Sequence, residues 1–71
     1  MTGKVYIVEK LRQNGDSFNP ESFVKPGRKG FYPVTHSIKK ARKLETMEKA
    51  RRFGSKIVNP IRIRPATVSF A

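Results

Sequence analysis

Three features of this 71-residue sequence predict a small α+β domain in which one helix packs on a three- or four-stranded sheet and a long basic loop stands apart. The chain opens on a run rich in β-branched and aromatic residues. A threonine midway along it precedes a stripe of apolar residues at helical spacing. Near the end, isoleucine and arginine alternate with the period of a strand. The length fits one domain over residues 1–71, and a chain of this size buries only about 60% of the surface that its unfolded form exposes.

Lys4-Val5-Tyr6-Ile7-Val8-Glu9-Lys10-Leu11 is the first predicted strand, with Val5, Ile7 and Leu11 on one face and Tyr6 and Val8 on the other. Asn14-Gly15-Asp16 follows as a turn, because Asn and Gly tolerate positive φ. Residues 13–33 lack a clear period and are punctuated by Pro20, Pro26, Gly27, Gly30 and Pro33. They are expected to form a long, partly mobile loop, either one that orders on a partner or a plain surface loop, with a short strand near Phe31 to Thr35.

Between Ile38 and Ile57 the apolar residues Ile38, Ala41, Leu44, Met47, Ala50 and Phe53 recur every third position. Such a stripe drifts around a straight helix, so one continuous helix is the poorer solution. Thr46 can cap a helix that begins at Met47, and Glu48 suits its positive end. The segment therefore divides into a turn or short helix over residues 38–44 and a helix from about 47 to 56. Met47, Ala50, Phe53 and Ile57 share the buried face of the second piece, where Gly54 permits close packing. Ile61-Arg62-Ile63-Arg64 turns both isoleucines inward, and Pro65 makes this an edge strand or a strand cut short, with another short strand from Ala66 to Phe70.

Sixteen Lys and Arg against five Asp and Glu give a formal charge of +11, which is the dominant compositional signal. A polyanionic partner would relieve the self-repulsion of such a chain, whether nucleic acid, an anionic membrane surface or an acidic protein face. The plainer alternative is a protein that is merely basic. Cys is absent, which fits a reducing compartment such as a cytoplasm. No apolar run is long enough to span a membrane and no signal-peptide core opens the chain, so no membrane association is expected.

Catalysis finds little to work with. His36 is the only His, there is no thiol, and five scattered acids do not assemble a metal site, so no catalytic residue, metal, cofactor or small-molecule substrate is expected. Asp16 with Glu21, and Glu45 with Glu48, are better explained by loop solvation and by the helix N-terminus.

Three basic clusters carry more. Lys39, Lys40, Arg42 and Lys43 form the first; Lys49, Arg51, Arg52 and Lys56 form the second, in which Lys49, Arg52 and Lys56 line one helix face. Such a row can meet successive phosphates, though a solvated polar face has the same spelling. Lys25, Arg28 and Lys29 with Phe31 and Tyr32 make the third, where glycines let backbone approach phosphate and aromatics can stack on bases. Gly27-Arg28-Lys29-Gly30 matches the clamp of KH-type RNA binders in spelling only, because that clamp joins two helices and Pro26 opposes one here. Arg62 and Arg64 complete the inventory of phosphate or acidic-partner contacts.

The opening Val5-Tyr6-Ile7-Val8-Glu9 and the stretch from Ile38 through Ala41, Leu44, Thr46 and Ala50 to Phe53 resemble small phage and prophage proteins. Those proteins begin on a "YIVE" strand and carry an "I-x-x-A-x-x-[LF]-x-T-x-x-x-A-x-x-F" segment, and the similarity covers roughly half of the chain. It implies a non-enzymatic host-takeover regulator in the host cytoplasm, acting on the transcription machinery by binding host RNA polymerase, nucleic acid, or both. In the protein-directed version Phe18, Phe23, Tyr32 and Phe70 supply apolar anchors. A sequence-nonspecific DNA- or RNA-binding protein and a small ribonucleoprotein component are the alternatives.

Overall fold

A computed structural model describes residues 2–28 and 30–69 of the chain. Four strands and one helix follow in the order β1 (Thr2–Leu11), β2 (Ser17–Val24), β3 (Val34–Thr35), α1 (Met47–Gly54) and β4 (Ile61–Ser69). The sheet runs β3-β2-β1-β4, antiparallel throughout, and α1 packs on one face of it. The α+β class, the helix and the four-stranded sheet are as the sequence predicts.

Period-two alternation in β1 divides the interior into two small cores. Val8 joins Val24, Leu44 and Ala50 beneath the helix, flanked by Tyr6, Tyr32, Phe53, Ile57, Ile61 and Ile63. Ile7 joins Phe23 and Ala41 on the opposite face, flanked by Ala66. The helix starts where Thr46 accepts a hydrogen bond from the Lys49 N–H at 3.1 Å. Its end packs closely on β4, since a Cβ on Gly54 would fall 2.8 Å from Ile61 Cδ1.

Two expectations are corrected. The first half of the 13–33 loop is a strand, because the Asn14-Gly15-Asp16 turn returns the chain alongside β1 as β2. In that turn Gly15 takes φ +91° and the Asn14 side chain accepts from the Asp16 N–H at 2.9 Å. The alternation is hidden in the sequence because β1 pairs with β2 in two pieces. Lys10 faces Ser22 while Leu11 faces Ser17, so Phe18 to Glu21, with Pro20, stand outside the register.

The second correction concerns Pro65, which neither ends β4 nor opens a new strand. β4 is an edge strand, as the proline predicts, and Pro65 faces Tyr6, whose N–H and C=O are both spent on Leu44 at 2.8 and 2.9 Å. That pair exchanges no hydrogen bond across to β4, so the missing N–H of proline leaves no gap in the ladder.

Candidate nucleic-acid interface

The Tyr6–Leu44 pairing also sets the first element of the candidate site. The chain leaves a 3₁₀ turn at Ile38–Lys40 and runs extended past β1, where the Arg42 N–H donates to the Val24 carbonyl at 3.0 Å. Extension alternates the side chains. Arg42 and Leu44 therefore turn toward α1, while Ala41 and Lys43 turn toward the opposite face. The Arg42 guanidinium sits 4.9 Å from the centre of the Phe53 ring, and Tyr32 meets the same ring edge-on at 5.6 Å.

The loop after β2 brings in the second element. It closes on itself through the Lys25 N–H to the Pro33 carbonyl and the Phe31 N–H to the Arg28 carbonyl, both at 2.9 Å. Gly27 lies at the closure, where a Cβ would fall 2.5 Å from Pro33 Cδ and 2.8 Å from the Phe31 carbonyl oxygen. The closed loop faces α1 across a cleft of about 170 Å³. Lys25, Arg28, Phe31 and Tyr32 line one wall, and Arg42, Phe53 and Lys56 line the other. A second hollow of about 190 Å³ continues from Arg42 and Phe53 along the helix to Lys49 and Arg52. Lys10 borders the cleft's other end beside Tyr32 and Lys56.

One basic surface with aromatic rings at its centre thus gathers residues from β1, the Lys25–Tyr32 loop, the extended segment and the helix. Lys25, Arg28, Arg42 and Lys56 have no carboxylate partner among the described residues. Lys49 and Arg52 pair with Glu45 and Glu48 at 3.2 and 3.3 Å, one helical turn away and well exposed. Exposed pairs of this kind hold a side chain weakly, so an incoming phosphate can take both cations.

The remaining predicted residues are not part of this surface. Lys43 folds back onto the 3₁₀ turn, donating to the carbonyls of Ile38 at 3.1 Å, Ala41 at 2.9 Å and Lys39. Lys39 and Lys43 border a hollow with Thr67 and Val68 at the far end of β4. Lys40 and Arg51 are exposed but do not line the cleft, and Lys29 lies outside the described residues. The Lys39–Lys43 run, continuous in sequence, is therefore split by the fold.

Arg62 and Arg64 lie on the sheet face opposite the helix, with a different task. Glu9 is completely buried there, and neither carboxylate oxygen has a hydrogen-bond partner among the described residues. Arg64 approaches it to 3.7 Å and Arg62 to 4.0 Å. Arg64 also pairs with Glu21 and lies over the Phe23 ring at 5.9 Å. Phe23 itself is buried and unavailable as a docking anchor, Phe18 is covered by Arg12 at 5.0 Å, and Phe70 lies outside the described residues.

Sequence reasoning missed Lys10 and the outward role of Phe53. The period of β1 puts Lys10 on the side of Tyr6 and Val8, which was a usable signal. The helical stripe predicts only a core position for Phe53, which is half-buried and serves both core and cleft. No group of His, Cys, Asp and Glu suited to a metal occurs among the described residues, and none of their helices is long and apolar enough to cross a membrane. Comparison of the chain with family models, curated proteins and solved structures gives no match.

Proposed function

We propose that this chain is a non-enzymatic nucleic-acid-binding protein that docks through the face formed by α1, Arg42 and the Lys25–Tyr32 loop. One observation carries the reading. Cations from three separated segments converge around Tyr32 and Phe53, while all five acids of the sequence lie elsewhere or in exposed helical pairs. Phosphates reward such convergence by releasing condensed counterions. Single cations also lie over Phe18 and Phe23, but among the described residues only here do cations of several segments gather at one cleft around two rings.

The test is affinity as a function of salt. The logarithm of the binding constant is expected to fall linearly with that of salt, by about 0.9 per phosphate neutralised on duplex DNA or about 0.7 on a single strand. Replacing Arg42 and Lys56 together by Ala should weaken binding and lower the slope by roughly two such contacts. Arg62→Ala, on the opposite face, should change neither. Equal effects at Arg62 would reduce the binding to unspecific charge.

Phe31 is 63% exposed and Val58 is 96% exposed, both beside the same surface. They support a second reading, in which the face docks on an acidic surface of host RNA polymerase and redirects transcription. Retention of polymerase from nuclease-treated lysate, lost on replacing Phe31 and Val58 by Ser with nucleic-acid affinity intact, would favour it.

A further inference from the structure

We infer that the cleft between the Lys25–Tyr32 loop and α1 takes an unpaired base, so that the ligand of this face is single-stranded nucleic acid rather than duplex. This rests on the nucleic-acid reading above and names its substrate class. Phosphate binding alone needs cations and no rings. Here the rings occupy the centre: Tyr32 and Phe53 meet edge-on at 5.6 Å, and Phe31 projects beside them with 63% of its surface exposed.

A large exposed aromatic in a domain this small is costly to leave in water, and stacking on a base would bury it. A flat cationic group already occupies the Phe53 ring, where Arg42 lies at 4.9 Å. The same guanidinium can stack on a base or hold its phosphate, as Arg does in single-strand binders. A duplex keeps its π faces stacked inside and offers the cleft only an edge or a backbone. The size agrees: about 170 Å³ lies below the roughly 300–1,000 Å³ that enclosing small-molecule sites need, and suits one ring system held from its flank. Phosphates on either side of that base then follow Lys56, Arg52 and Lys49 along the second hollow.

Fluorescence anisotropy on the full chain separates the possibilities, using three labelled probes of equal length: a mixed-sequence single strand, the corresponding duplex, and an abasic strand. The single strand should bind tightest. Phe31→Ala, at an exposed position that does not stabilise the core, should weaken it by about tenfold. Tyr32→Leu, with folding checked by circular dichroism, should act similarly. Both variants should leave the abasic strand and the duplex nearly unchanged. In a Tyr6→Phe background, Tyr32 is the only tyrosine and Trp is absent, so quenching of its emission by the single strand reports contact directly. Duplex binding as tight as the single strand, or insensitivity of the single strand to both aromatic variants, overturns the base-binding cleft and leaves phosphate docking standing. Failure of all three probes to bind at roughly 50 mM salt overturns the nucleic-acid reading as well.

Discussion

The two faces of the sheet use arginine in opposite ways. On the helix side, Arg42 leans on Phe53 without a carboxylate, and Arg52 holds only an exposed partner on its own helix. On the other side, Arg64 is drawn in by Glu9 and Glu21 and lies over Phe23. Glu9 explains the contrast. It alternates with Val5, Ile7 and Leu11 on the face opposite α1, and it is fully buried there. A carboxylate without hydrogen bonds in that position needs a nearby cation. Arg64 is therefore part of what holds the fold, whereas the helix-side cations stay available to an outside anion. Net charge alone, identical in kind on both faces, does not separate them; the location of the acids does.

The largest effect expected follows from this asymmetry. Removing Arg64 strips the buried Glu9 of its nearest cation and should cost about 3 kcal/mol, a large share of the roughly 4–10 kcal/mol available to a chain of this length. Removing Glu9 instead leaves Arg62 in solvent and Arg64 with Glu21, so no buried charge is stranded. Glu9→Met should then stay within about 1 kcal/mol of the parent or exceed it. In urea unfolding, the double variant should regain most of what Arg64→Ala loses, giving a coupling of about 2 kcal/mol. If Arg64→Ala and Arg62→Ala are equally mild, the supposed division of labour between the two faces fails.

A middle-sized effect concerns the helix side alone. Gly27→Ala forces a Cβ against Pro33 and the Phe31 carbonyl, so the loop must open. Neither buried core includes this loop tip, and unfolding free energy should change by less than about 1 kcal/mol. Nucleic-acid affinity should fall several-fold, because Arg28 and Phe31 no longer face Phe53. A loss of stability without a loss of binding would show that the loop is scaffold rather than site.

The same contrast explains what could be read in the sequence. Local signals were legible: the Thr46 cap, the β1 alternation and the Asn-Gly turn each depend on neighbours in the chain. β2 was hidden because its pairing skips Phe18 to Glu21, which only β1 can reveal. The basic clusters were legible as composition but not as surfaces. Lys39 through Lys43 looks like one patch, yet extended backbone sends Arg42 to one face and Lys43 to the other. Arg62 and Arg64 looked free because their partners, Glu9 and Glu21, are 43 or more residues away. Long-range pairing decides which charges are spent, and sequence spacing does not report it.

The smallest expected effect tests whether the paired helix-side cations are available to phosphate. Lys49 and Arg52 each hold one exposed glutamate a helical turn away, and such pairs are worth roughly 0.3–0.5 kcal/mol. Lys49→Gln or Arg52→Gln should hardly move the unfolding midpoint. Each should nonetheless remove about one phosphate contact, lowering the salt slope by roughly 0.7 on a single strand. A drop in slope without a drop in stability means that the cation leaves its glutamate for phosphate when nucleic acid arrives. An unchanged slope means that the helical pairs persist in the complex. The working surface would then shrink to Arg42, Lys56 and the loop, the cations with no carboxylate to leave.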